Sequence, residues 1–185
     1  MTTAELLAAR RPHRADAARN FDAILEAAAN AFDEDGPQVP LEAIAERAGV
    51  GVATLYRNFP TRGDLVESVY VAEVDSLCRF GEGLQEREAW DALVAWVGRF
   101  VAAMATKRAL LDVLDRDSGA FRACRDALYA SGGPLLERAQ ADCGARRDVD
   151  IDDVMRFVLG VSGAPVASEA QRDRIVGMAI DGMHA

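Results

Sequence analysis

The stretch Leu41–Phe59, LEAIAERAGVGVATLYRNF, decides how the rest of this 185-residue chain is read. Leu41, Ile44, Ala45 and Ala48 recur at i, i+3, i+4 and i+7, an apolar stripe of about two helical turns. Gly49 follows, the residue type that leaves a helix most easily through a left-handed backbone angle. Beyond it Val52, Leu55, Tyr56 and Phe59 repeat the spacing. Ala45 is small, which lets two helices cross closely, with Val50 and Leu55 filling the angle between them. Two short helices joined in this way form a helix-turn-helix, whose second helix fits a DNA major groove. An ordinary pair of amphipathic core helices would share the apolar stripes. It would not account for a second helix this short that ends in Tyr56-Arg57-Asn58 and is followed by Arg62, groups suited to phosphates and base edges.

Upstream, Phe21, Ile24, Leu25, Ala28 and Phe32 give a helical stripe over about Ala15 to Asp35, stopped by Gly36-Pro37. Residues 1–14 read as a loosely ordered arm, basic after Ala9 through Arg10, Arg11 and Arg14. Downstream, Pro60 ends the second motif helix and Thr61, with Asp64 three residues on, caps the next, which runs to about Phe80.

The segment Arg14–Tyr70 resembles the amino-terminal domain of TetR-family transcriptional regulators, most specifically over AGVGVATLYRNFPTRGDLV, Ala48–Val66. It covers about one third of the chain. By position in the motif, the resemblance implies that Val52, Ala53, Thr54 and Arg57 face base edges. Tyr56, Asn58, Thr61 and Arg62 would position phosphates. Pro40 stands where the family often carries Ser or Thr, so one hydroxyl contact to phosphate is lost. The helix from Arg62 would be the lever between a ligand site and the DNA-binding head. The last two helices would pair with those of a second subunit as a four-helix bundle.

The remainder is helical in pattern and carries no strand-like alternation. Trp90, Leu93, Val94, Val97, Phe100, Val101 and Met104 mark a long helix from about Arg87, and Lys107–Leu114 a short one. Another begins at Asp117 or Ser118 and is broken or kinked at Ser131-Gly132-Gly133-Pro134. Asp150 and Asp153 open a helix to Val161, and Ser168–Gln171 reads as a capping box before the last helix. The expected fold is all-α, about nine helices: a flexible arm at 1–14, a helix-turn-helix domain at 15–61, and a larger ligand-binding and dimerisation bundle at 62–185.

Within that bundle Trp96, Phe100, Met104, Phe121, Arg125 and Tyr129 are the candidates to line a cavity for a mostly apolar small molecule, Tyr129 or Arg125 holding its polar end. The competing reading is an aromatic core. Met155, Val158, Leu159, Ile175, Met178 and Ala179 are the candidate dimer contacts; the alternative is that they close the chain's own core.

The net charge of −9 argues against a strongly basic nucleic-acid binder, but a small arginine face suffices for groove recognition. Three scattered cysteines and two histidines form no metal-ligand spacing, and no cofactor motif, Gly-rich phosphate loop, HExxH or GxSxG is present. MTTAELLAARRPHR lacks the apolar block of a signal peptide, and no apolar run would span a bilayer. The expectation is therefore a cytoplasmic, homodimeric regulator without catalytic residues, binding double-stranded operator DNA and released from it by a small ligand. An effector-free regulator, or an enzyme or small-molecule carrier on the same fold, are the alternatives.

Overall fold

The computed structural model describes residues 2–111 and 113–185, with the side chains of all but 106–109 and 111. Helices are α1 (Thr3–Arg10), α2 (Ala15–Asp35), α3 (Leu41–Arg47), α4 (Val52–Asn58), α5 (Arg62–Glu82), α6 (Ala89–Leu111), α7 (Gly119–Ala141), α8 (Ile151–Gly163) and α9 (Glu169–Asp181). Among the described residues the only strand-type pairing is one bridge, Ala145 to His184. The chain divides into two compact units, Met1–Asp75 with Ala109–Cys124, and Ser76–Arg108 with Arg125–Ala185. The boundary expected after Thr61 thus lies inside the first unit.

The first unit is built on the motif. Gly36 takes φ +82° and Gly49 φ +67°, so both turns use the left-handed region that glycine tolerates. After Gly49 the chain re-enters through Val50, whose N–H donates to Ala45 O at 3.0 Å. Leu55 and Phe59 are buried, and Phe59 stacks on Phe21 of α2 at 4.9 Å between ring centroids. Ile24, Ala28, Phe32, Leu41, Ile44 and Ala45 complete this core with Leu65, Val66 and Val69 of α5. Burying one such aliphatic side chain contributes about 1.5–3 kcal/mol, enough to hold a seven-residue helix that would not persist alone. At the start of α5, Thr61 Oγ1 accepts from Asp64 N at 3.1 Å and Thr61 N donates to Asp64 Oδ2 at 2.9 Å, the capping pair read from the sequence.

Residues 3–10 are helical, in place of the expected loose arm. Thr2 and Glu5 form a reciprocal cap (Thr2 N to Glu5 Oε2 2.7 Å, Glu5 N to Thr2 Oγ1 3.1 Å). Leu6 is buried, and Thr3 Oγ1 donates to Asp75 Oδ1 at 3.0 Å. Arg10 pairs with Glu67 and donates from Nη1 to Ser68 Oγ at 2.8 Å. These anchors supply the tertiary contacts that a short helix needs.

The second unit differs from the sequence reading in two places. The expected short helix Lys107–Leu114 is not separate, because α6 continues to Leu111; no Gly or Pro lies between Phe100 and Ser118 to interrupt it. The side chains of Lys107 and Leu111 lie outside the described residues. Likewise α7 passes unbroken through Ser131-Gly132-Gly133-Pro134. A proline inside a helix costs about 3 kcal/mol. Continuing the helix buries Leu135, Leu136 and Ala139, and two leucines offset that cost. Gly132 is not a hinge: a Cβ there would lie 2.6 Å from Trp96 Cη2. Gly81 has the same role from α5, its Cβ falling 3.0 Å from Trp96 Cδ1. Trp96 is fully buried between them, and its Nε1 donates to Ser131 Oγ at 3.1 Å.

Arg138 of α7 donates to the carbonyls of Leu84, Gln85 and Arg87 at 2.9–3.3 Å, satisfying acceptors in the loop after α5. Asp150 and Asp153 cap α8 reciprocally. At α9 only half of the expected box forms. Ser168 Oγ accepts from Gln171 N at 3.2 Å, while Gln171 Oε1 accepts from Ala167 N at 2.6 Å.

Candidate nucleic-acid interface

The helix α4 has two faces. Leu55 and the following Phe59 point into the core, which turns Val52, Ala53, Tyr56 and Arg57 to solvent, with Val52 38% and Tyr56 43% exposed. The structure brings these four together as one outward surface about 1.5 turns long, at the scale of a groove-reading helix. Thr54 is half-buried beside them and accepts from Arg57 Nη2 at 3.2 Å through its hydroxyl and from Asn58 Nδ2 at 2.8 Å through its carbonyl. Arg57 is thus parked against its own helix by one exposed bond to a neutral hydroxyl, which a base edge or phosphate can replace.

The other three motif residues are engaged within the protein. Asn58 holds the end of α4. Thr61 uses its hydroxyl in the cap of α5, donating to Asp64 Oδ2 at 2.7 Å. Arg62 Nη1 donates to Pro37 O at 2.9 Å and so fastens the turn after α2. Of the arginines in and before the motif, Arg10, Arg11, Arg19 and Arg47 are each paired with a carboxylate. Arg14, Arg57 and Arg62 are given no carboxylate partner among the described residues. The Arg11 guanidinium holds the Asp22 carboxyl below its ordinary range, chiefly through their hydrogen bonds.

Sequence reasoning missed the pairing of Arg10 and Arg11, which follows from α1 being a helix. The signal was present in Thr2-x-x-Glu5, the pattern of an N-terminal capping box.

The expected ligand contacts fall in both units. Trp96 and Phe100 are fully buried with ring centroids 5.3 Å apart, and Met104 is buried one turn on. Tyr129, half-buried in the same unit, donates its hydroxyl to Asp152, which raises the Tyr129 pKa and lowers that of Asp152. Arg125 is exposed and pairs with Asp126 at 3.2 Å. Phe121 belongs to the first unit, stacked on Tyr70 at 5.8 Å, where burial pushes the Tyr70 hydroxyl up. A groove of about 250 Å³ between α2 and α5 is lined by Asp22, Leu25, Glu26, Ala29, Val69, Ala72 and Glu73, none of them among the six.

The expected dimer contacts also divide. Met155 and Val158 face the chain's own core at 4% and 0% exposure, because α8 turns the Val154-Met155-Val158 side inward. Leu159 and Met178 are exposed, Met178 at 74%, and Ile175 and Ala179 are half-buried on α9, which has no fully buried residue.

Fold and site together define an all-helical protein with a helix-turn-helix in its first unit and a second helical unit. Residues 24–69 match the family described as bacterial regulatory proteins, tetR family, and residues 88–185 match the Transcriptional regulator SbtR-like, C-terminal domain. The chain belongs to the TetR family of transcriptional regulators, a class of regulators and not of enzymes. It is 33% identical to the TetR transcriptional regulator SCO0520 from Streptomyces coelicolor, over 89% of this chain and 98% of that one, with a TM-score of 0.74. To the TetR transcription regulatory protein from Mycobacterium vanbaalenii it is 32% identical over 94% and 100% of the two chains, with the same TM-score. The HTH-type transcriptional regulator SAUSA300_2515 of Staphylococcus aureus is 38% identical over 63 residues, 34% of each chain. The match thus spans about a third of the length of this curated relative.

Proposed function

We propose that this protein is a cytoplasmic homodimeric repressor that reads operator DNA with α4 and leaves it when a small, mostly apolar ligand binds in the second unit. The observation that carries the reading is the two-sided α4: Leu55 and Phe59 anchor it, and Val52, Ala53 and Arg57 are exposed to meet base edges, with Tyr56 exposed beside them for the phosphates. Two such heads about 34 Å apart are needed to read successive major grooves, which favours a dimer. The exposed Leu159 and Met178, with Ile175 and Ala179, offer an apolar surface on α8 and α9 for that purpose. Among the described residues no helix is long and apolar enough to cross a membrane.

Ligand release requires differential binding to two states. The helix α5 follows the recognition helix and has its residues after Asp75 in the second unit, so it is the element through which ligand binding would act on the head. Selection of bound duplexes from a random pool, with and without a metabolite library, tests the reading. Recovery of a two-fold symmetric site whose binding a ligand weakens is expected. Failure to select any duplex refutes the DNA-binding reading, and a selected site indifferent to every ligand leaves the effector-free regulator.

A further inference from the structure

We propose that Arg10 and Arg11 are DNA-backbone contacts kept on the protein's own carboxylates, and that operator binding transfers them from Glu67 and Asp22 to phosphates. The inference rests on the DNA-binding reading above.

Its first support is the register of α1 on α5. Thr3 meets Asp75 at one end and Arg10 meets Glu67 and Ser68 at the other, so the two helices run antiparallel. The seven residue steps on α1 and the eight on α5 each span about 10–12 Å, so both ends fit at once. With Arg10 placed at the second turn of α5, Arg11 reaches α2. There its Nε donates to Asp22 Oδ1 at 2.8 Å and its Nη2 to Asp22 Oδ2 at 2.6 Å. The segment therefore bridges α2, which packs on α4, and α5, which follows α4 in the chain.

The second support is where those carboxylates lie. Asp22 follows Phe21, whose ring stacks on Phe59, the residue directly after α4. Glu67 is five residues past Arg62, where the chain resumes after α4. Both carboxylates thus belong to elements tied to the reading helix, Asp22 through its neighbour Phe21 and Glu67 through the helix that follows α4. A major groove about 12 Å wide has phosphates along both edges, and the proposal sets Arg10 and Arg11 against them when α4 enters the groove.

The third support is energetic. Side chains in these pairs are partly to half exposed, 33% and 19% for Arg10 and Glu67, 48% and 50% for Arg11 and Asp22. Ion pairs of that exposure are weak and easily exchanged. A phosphate contact brings counterion release in addition. Arg47 and Arg19 differ: Arg47 clamps the end of α2 through Glu34 and Asp35, and Arg19 pairs within its own helix turn. In the free protein these arginines are neutralised, which limits binding to non-operator DNA.

The experiment measures full-chain affinity for the selected duplex by fluorescence anisotropy across a potassium chloride series, for wild type, Asp22→Asn, Arg11→Ala and the double variant. Asp22→Asn should bind several-fold tighter. Arg11→Ala should lower the slope of log K against log salt by about one per subunit, and the gain from Asp22→Asn should vanish in the double variant. Arg11→Gln serves in place of Arg11→Ala if circular dichroism shows loss of helix. A gain that persists without Arg11 means that Asp22 merely repels DNA and overturns the proposal. So does a salt slope unchanged by Arg11→Ala, even with operator selection by the wild type intact. Absence of any selected duplex would remove the underlying reading as well.

Discussion

Gly132→Ala should destabilise the protein although it replaces a glycine inside a helix. Alanine normally gains about 1 kcal/mol over glycine in a helix interior. Here the new Cβ would lie 2.6 Å from Trp96 Cη2, and 2.9 Å from both Trp96 Cζ3 and Ile151 Cδ1. Carbon atoms pack at about 3.5–4.0 Å, so the indole must retreat by about 1 Å. It has nowhere to go. Its other edge faces Gly81, where a Cβ would already stand 3.0 Å from Cδ1, and its N–H is held by Ser131. Overpacking of this kind costs about 1–3 kcal/mol, and a broken buried indole hydrogen bond adds about 1–3 more. Set against the gain of about 1 kcal/mol, the net expectation is a loss of about 1–5 kcal/mol. Gly98→Ala in α6 is the control, since nothing lies within 4 Å of its Cβ position; it should gain about 0.5–1 kcal/mol. Thermal denaturation at one fixed protein concentration reads both, at about 2–4 °C per kcal/mol for a chain of this size. A Gly132→Ala protein that melts at or above the wild-type temperature would refute the argument that Trp96 is wedged between two glycines.

Arg57→Ala should weaken operator binding by about 1–3 kcal/mol and relax preference at one position of each half-site, measured by anisotropy on single-base variants of the selected duplex; full retention of preference would remove Arg57 from base reading. Met178→Asp places a charge in the proposed dimer surface, from a residue 74% exposed in the single chain, and should give folded monomers by sedimentation; a variant that remains dimeric excludes that surface. The Asp152 carboxyl is held below its ordinary value of 3.8 first by the Tyr129 hydroxyl and then by Arg156. A depressed carboxyl contributes stability that is fully present above its unfolded pKa and lost as pH falls through the folded one. The urea midpoint of wild type should therefore exceed that of Asp152→Asn at neutral pH, and the two should converge in acid below 3.8; a constant gap would show that the Asp152 contacts do not depend on its charge.

What was legible in the sequence and what was not separates by the range of the interactions involved. The motif was legible because its determinants are local. Gly49 needs its positive φ wherever it sits, and the spacing of Leu41, Ile44, Leu55 and Phe59 alone orients the two helices. Helix stops failed as signals where a distant residue decided the outcome. Gly132 and Pro134 read as a break, yet the ring of Trp96, 36 residues earlier, is what requires glycine at 132, and the burial of Leu135 and Leu136 carries the helix past the proline. The same reasoning applies to α1. Its arginines read as a free basic arm because nothing local shows that Glu67 and Asp22 meet them, or that Thr3 has a partner 72 residues away in Asp75. Periodicity also marks apolar positions without saying which partner covers them. Met155, Val158 and Leu159 are equivalent by spacing, but the first two fill the chain's own core and the third is exposed. Aromatic stripes have the same ambiguity. Trp96 and Phe100 fill the second unit tightly, so an effector that enters beside them must displace existing contacts. A ligand of that kind would have to bind a rearranged state better than this one, and such differential affinity is the condition for any ligand to move a DNA-bound equilibrium at all.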